Sequence, residues 1–218
     1  MSGRMTKSAA GETGPRARQR AARRSQILAA AERIFAETGF EGASMAAIAA
    51  AAGLPKANLH YYFGTKEALY AALLREVLAL WLSATEAIRP ESDPAEALTA
   101  YVRAKMEWSR SRPLASRVFA NEVLHGAPVL EAEFAGPMRA LVEEKSRVLQ
   151  GWIEAGRMAP IAPRHLFFAL WAMTQTYADF AAQIRPVLGV AALGEAEFAA
   201  ARETVLRLVL RGCGLPAP

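Results

Sequence analysis

The sequence predicts an all-α protein, and three observations carry that prediction. Alanine is abundant and β-branched residues are sparse, a bias toward helix before any periodicity is read. Apolar residues recur at helical spacing along most of the chain, and strand-like alternation is sustained nowhere. The breaks between periodic runs carry glycine and proline, as in "AGLPK", "RPESDP", "SRP", "HGAP", "GRMAPIAP" and "VLGVAALG". No internal repeat is visible. At 218 residues the chain can bury a substantial core, as one domain or as a small domain beside a larger one.

The elements follow in order. The first fifteen residues are Gly-, Ser- and Thr-rich and are expected to be disordered. From about Arg18 a helix is expected, because Ile27, Leu28, Ala31, Ile34 and Phe35 keep helical spacing, with Gly39 as its stop. Ser44 is placed to cap a second helix ending at Gly53. Pro55 suits the start of a short third helix, "KANLHYYF". Thr65 and Glu67 open a fourth, reaching about Thr85. Further helices are expected over about 95–111, 114–125, 129–155, 164–187 and 195–211.

Composition narrows the function. With 53% apolar and 22% charged residues the chain reads as an ordinary globular protein. A single cysteine, Cys213, leaves no intramolecular disulfide and suits a reducing compartment; near a fraying C-terminus it is expected to be inert. There is no apolar run of membrane-spanning length and no apolar signal core at the start, so a cytoplasmic protein without a membrane partner is expected. His60, His125 and His165 are scattered, which argues against a metal site. No nucleophile-elbow, Walker or dinucleotide glycine pattern occurs, so neither an enzyme nor a cofactor is expected. The net charge of +5 is uneven: residues 1–24 hold seven cations against Glu12, and the remainder is close to neutral at −1. A basic arm on a near-neutral body suggests a polyanion, unless it is simply a solvated tail.

The stretch "AAIAAAAGLPKANLHYYFGTKEALY", Ala46 to Tyr70, turns that suggestion toward DNA. Two short helices joined by a tight turn at Gly53 have the spacing of a helix-turn-helix, whose second helix presents side chains to base edges in the major groove. Lys56 and Asn58 can donate to bases or phosphates, and His60 adds a polar tip. Tyr61 and Tyr62 carry hydroxyls on stiff rings suited to phosphate contact, and Lys66 adds a charge. Ile48, Leu59, Phe63 and Leu69 are the expected packing residues. An ordinary helical hairpin with a wet face is the competing reading.

The run from Ile27 through Tyr70 resembles the DNA-binding domain of the TetR family of bacterial transcriptional regulators, with "TGF", "IA..AG", "YYF" and "KEAL" in family order. The resemblance implies a dimeric regulator, most simply a repressor, with a palindromic double-stranded DNA operator as partner. By family position, Ser44, Lys56, Tyr61 and Lys66 would contact phosphates or bases. Position 60 varies widely in the family, so the role of His60 is left open.

A second constellation lies in "RHLFFALWAMTQTYADFAAQI", from Arg164. One helical face holds Phe167, Phe168, Trp171, Thr174, Gln175, Ala178 and, at its edge, Asp179; the other holds Leu166, Leu170, Met173, Tyr177, Phe180 and Ile184. A buried amide needs partners, and Gln175 offers a donor and an acceptor side by side, matching the edge of an imide or pyrimidine. Trp81 and Trp171 could stack on such a ring. Equally, both indoles could fill the core and Gln175 could bond a backbone carbonyl. The segments "SRVFANEVLHGAPVL", "EKSRVLQGWIEAGRMAPIAPRHL" and "LWAMTQTYADFAAQI" resemble the pyrimidine-sensing branch of the TetR family, which responds to uracil and thymine. That resemblance implies Trp81, Trp171 and Gln175 as effector-binding residues, with Thr174 and Asp179 beside them. Met173, Thr176, Ala87 and Ile88 depart from the branch's pattern, so another planar or apolar metabolite stays open. A binding or catalytic helical protein with a vestigial helix-turn-helix is the distant alternative.

The expected layout is a basic arm over residues 1–17, a helix-turn-helix domain over 18–65 and a helical effector-binding and dimerisation domain over 66–218. The expected dimer face combines Met173, Tyr177, Phe180 and Ile184 with Phe198, Val205, Leu208 and Val209 on the last helix.

Overall fold

The structure, a computed structural model, describes residues 14–217 and is built from helices without a strand among those residues. The disordered opening expected for the chain lies almost wholly outside the described residues. Helix α1 spans Pro15–Gly42, three residues ahead of the expected start, with proline in its first turn where the missing N–H costs nothing. It breaks at Gly39 (φ +71°), a left-handed conformation that glycine adopts without strain, so the expected stop is where the helix axis turns. Helix α2 (Met45–Ala52) is capped by Ser44, whose Oγ accepts from the Ala47 N–H at 3.1 Å, and it ends on left-handed Gly53. Helix α3 (Lys56–Phe63) follows directly. Thr65 caps α4 (Lys66–Ser83) in the same manner as Ser44, and a 3₁₀ turn (Ala84–Ala87) extends it.

Helices α5 (Pro94–Ser111) and α6 (Pro113–Leu124) meet at Arg112. The helix expected over 129–155 is divided into α7 (Glu131–Glu133), a π-helical turn (Phe134–Met138) and α8 (Arg139–Glu154). Gly136-Pro137 is the cause: proline has no N–H to continue the α-helical ladder, and the widened turn absorbs the gap. The helix expected over 164–187 is likewise two, α9 (Pro163–Asp179) and α10 (Ala181–Leu188), with Phe180 leaving helical geometry between them. The last helix, α11, spans Glu195–Gly212.

Two apolar cores result. The first joins α1–α4 to α6 through Ile27, Phe35, Ile48, Leu59, Leu69, Leu73 and Val118. The second joins α5, α8, α9 and α11 through Tyr101, Leu149, Trp152, Leu170 and Val205. Packing therefore does not divide at residue 65, because α4 and α6 complete the core beneath the helix-turn-helix. By length and composition Lys66–Ala87 is apolar enough to cross a membrane, but half of that segment is buried inside the protein, as befits a core helix.

Two expectations change. Phe198, Val205 and Val209 are buried within the protomer, because α11 turns that face to α5 and α9; of the expected face only Phe180 and Leu208 are exposed, while Met173, Tyr177 and Ile184 are half-buried. Nor does the C-terminus fray around Cys213. That side chain is fully buried, its carbonyl accepts from the Ala159 N–H at 2.8 Å, and burial pushes its thiol pKa up.

Candidate DNA-reading surface and effector cavity

Helix α3 is held by one fully buried side chain, Leu59, with Tyr62 and Phe63 packed on the core beside it, and presents its other face outward. Lys56, His60 and Tyr61 are exposed, Tyr61 to 75%, and Asn58 is half-buried. An exposed tyrosine at the tip of a short helix has no packing role to explain it. Tyr61 meets Tyr62 edge-on with ring centres 5.2 Å apart, and Tyr62 packs on the core beneath. The His60 ring donates from Nδ1 to the Gly64 carbonyl at 2.7 Å, closing the helix and leaving Nε2 outward. Ser44 is exposed at the start of α2 with its hydroxyl hydrogen free of its capping role.

Lys66 is placed differently from its neighbours. Its ammonium donates to the Phe40 carbonyl at 2.8 Å and lies 4.2 Å from the centre of the Phe40 ring, so it braces α4 against the end of α1. Two braces were missed in the sequence: Gln26 donates to the Ala52 carbonyl at 2.7 Å and Arg33 to the Ala51 carbonyl at 3.2 Å. Both satisfy terminal carbonyls of α2 from α1, and neither has a local sequence signature.

Trp81, Trp171 and Gln175 converge on one cavity of about 40 Å³. It lies at the seam of the two cores, with Leu78, Trp81 and Phe119 on one side and Tyr101, Phe167 and Trp171 on the other. Trp81 packs edge-on against Phe119 with centres 4.5 Å apart. The Trp171 indole N–H donates to the Tyr101 hydroxyl oxygen at 3.0 Å, leaving that hydroxyl's own hydrogen for another acceptor.

The polar feature that sequence reasoning missed is Lys105. It is only 2% exposed, its Nζ sits 4.0 Å from the centre of the Trp81 ring, and it donates to Gln175 Oε1 at 3.3 Å. Burial lowers its pKa to about 7, with the Asp179 charge opposing that shift. The signal was present: Leu98, Tyr101, Val102, Lys105, Met106 and Ser109 form one helical stripe, and a lysine inside it is out of place. Gln175 is thus bonded to a side chain, not to the backbone carbonyl that the core reading required.

Asp179 stands outside this cavity, in an adjoining open groove of about 730 Å³ that also reaches Phe168, Trp171 and Gln175. Its Oδ1 accepts from Ser116 Oγ at 2.5 Å, and burial raises its pKa against the opposing effects of Ser116, Lys105 and Arg117. Thr174 is not brought to either space. It is fully buried with its hydroxyl bonded to the Leu170 carbonyl at 2.7 Å, a local bond that removes it from any ligand. Among the described residues no group of three His, Cys, Asp or Glu side chains gathers where a metal could bind.

Comparison with known proteins accords with this arrangement. Residues 27–73 match the family model of bacterial regulatory proteins of the tetR family, and residues 74–216 match that of the YcdC-like protein C-terminal region. The chain is 45% identical over 208 residues to the HTH-type transcriptional regulator RutR of Escherichia coli (strain K12), covering 95% of this chain and 98% of that one. Among solved structures, a TetR-like transcriptional regulator from Rhodococcus sp. RHA1 is similar with a TM-score of 0.63 and 25% identity, over 88% of this chain and 96% of that one. The fold is also that of AibR, solved in complex with isovaleryl coenzyme A and operator DNA, with a TM-score of 0.63 at 21% identity, over 85% of this chain and 97% of that one. An N-terminal helix-turn-helix on a shared helical core, matched along nearly its whole length, makes this chain a member of the TetR family of helix-turn-helix transcriptional regulators.

Proposed function

We propose that the protein binds a palindromic operator as a homodimer and loses operator affinity when uracil or thymine occupies the cavity between its two cores. The observation that carries the effector half is the convergence of Trp81, Trp171 and Gln175, joined by Tyr101 and Lys105, on one space. Indoles supply flat apolar faces, while the amide, ammonium and hydroxyl supply a polar edge. The similarity to the pyrimidine-utilisation regulator RutR along 95% of the chain supports the same ligand class.

The mechanism follows from where the cavity lies. A space of about 40 Å³ admits roughly three waters, so a pyrimidine ring must push its walls apart. Trp81 belongs to α4, which runs directly from the helix-turn-helix, and Tyr101, Lys105 and Trp171 belong to the second core. A ligand that fits only the parted geometry shifts the dimer toward it and changes the spacing of the two α3 helices. On the DNA side, Lys56, Asn58, His60 and Tyr61 would meet the groove, and Ser44 and Tyr62 would meet phosphates. Lys66, already bonded to Phe40, would act by positioning.

The test is operator release against uracil or thymine concentration. Gln175→Leu keeps side-chain volume but removes both hydrogen-bonding groups, so it should abolish release while leaving operator binding intact. A wild type indifferent to both bases would refute the pyrimidine effector. A variant that responds like the wild type would return Gln175 to the core.

A further inference from the structure

Gln175 alone cannot tell a uracil edge from a cytosine edge. A side-chain amide offers one donor and one acceptor, and rotating it by half a turn exchanges them. Both bases would be satisfied by an amide free to flip. The contact that removes this freedom is Lys105 Nζ to Gln175 Oε1 at 3.3 Å. An ammonium has three donors and no acceptor, so the amide oxygen is the end that must face it.

The placement of Lys105 makes that polarity dominate the cavity. Its Nζ lies 4.0 Å from the centre of the Trp81 ring, and no carboxylate comes within ion-pairing distance of it among the described residues. The charged or titratable groups around it are few. Asp179 on α9 is held by Ser116, Lys145 on α8 pairs with Glu144 at 3.0 Å, and Tyr101 lies one turn away on α5 with its oxygen bonded to Trp171. One donor goes to the amide and the Trp81 ring covers one side of the ammonium, so its remaining hydrogens are what it can offer to the cavity. A carbonyl oxygen there would be met by them, whereas an exocyclic amino group would set donor against donor.

We propose that Lys105 is the specificity-determining residue of the cavity: it fixes the orientation of the Gln175 amide and selects rings whose edge has an N–H flanked by oxo groups, as in uracil, over rings whose edge has a bare nitrogen beside an amino group, as in cytosine. The inference rests on the pyrimidine reading of the cavity and adds the direction of its discrimination. It also carries a pH signature. A neutral amine has a lone pair and can accept, so discrimination weakens as Lys105 loses its proton, and burial brings that loss down to about pH 7.

The experiment is calorimetric titration of the full-length protein with uracil and with cytosine at pH about 6 and about 9, for wild type and Lys105→Met. At the lower pH the wild type should bind uracil at least about a hundredfold more tightly than cytosine, since a mismatched polar edge is rejected far more strongly than a lost methylene. That ratio should fall as pH rises. In Lys105→Met it should shrink to within about tenfold and become independent of pH, because the amide is again free to flip. Operator binding by the variant reports that it is folded; the wild-type pH dependence needs no variant. A ratio unchanged in Lys105→Met, or constant with pH in the wild type, overturns the role of Lys105 while the pyrimidine reading stands. Absence of binding by either base to the wild type overturns the pyrimidine reading and this inference together.

Discussion

Burying Lys105 without a carboxylate partner costs stability, and its sign with pH can be worked out. Its pKa in the folded protein is about 7, below the ordinary lysine value of about 10.4. Between those values the unfolded chain holds a proton that the native protein has lost, so stability rises with pH across that window. Below it both states are protonated and the penalty is fully present. Lys105→Met should therefore be more stable than wild type near neutrality, by on the order of a few kcal/mol. The difference should close toward pH about 10, as followed by urea unfolding at several pH values. Wild type and variant changing in parallel with pH would mean that the ammonium is not desolvated in solution. Lys105 and Gln175 are unequal in the sequence: Gln175 stands beside Trp171 in one short segment, whereas Lys105 stands out only as a cation interrupting an otherwise largely apolar stripe, with no neighbour in sequence to show what it meets.

At the scale of the element, α3 is eight residues long and too short to persist by itself. Its geometry comes from Leu59, from the left-handed turn at Gly53 and from the capped helices on either side. It can therefore expose polar tips along most of its surface without unfolding. Lys56→Ala should leave the fold intact and weaken operator binding by roughly 1–3 kcal/mol if Lys56 reads a base. Fluorescence anisotropy with labelled operator would measure it. Unchanged affinity for both Lys56→Ala and Tyr61→Phe would move the reading surface off α3. Caps and turns of this kind are local, which is why Ser44, Gly53 and Thr65 were correctly placed from sequence. The division at Phe180 was not foreseen, because apolar periodicity continues through it; that at Phe134–Met138 had a local signal in Gly136-Pro137, which the periodicity on either side outweighed.

Across the whole molecule, the junction of α5 and α6 is tied to the DNA-reading unit. Arg112 donates to Glu32 on α1 at 2.6 Å and lies 3.5 Å from Glu76 on α4, which also meets Arg24 at 3.6 Å. The two helices joined at Arg112 carry Tyr101, Lys105 and Phe119 of the cavity. Arg112→Gln should leave uracil binding and operator binding individually close to wild type. It should lower the factor by which saturating uracil changes operator affinity, a factor that is typically 5–150-fold. Operator affinity measured with and without uracil decides it, and an unaltered factor would place the coupling in α4 alone. The second prediction at this scale is the dimer. Phe180 and Leu208 are 53% and 61% exposed, and Val187 and Leu188 on α10 are exposed as well. Replacing either residue by glutamate should give a monomer that no longer binds a full palindrome. Sedimentation showing an intact dimer for both variants would place the interface elsewhere.

The sequence by itself determined the helical class, the caps and glycine turns of the helix-turn-helix, and the presence of two indoles and an amide suited to a flat ring. Each is a matter of local spacing or residue chemistry. Only the tertiary structure decided that α4 and α6 belong to the same core as the DNA-reading helices, so that the cavity sits on a seam. It also placed Lys105 against Gln175, 70 residues apart, turned Thr174 onto its own helix, occupied Lys66 with Phe40 and buried most of the expected α11 dimer face. The physical reason is common to all of these. Helical periodicity says that a face is buried, but which element covers it depends on long-range packing that no local window contains.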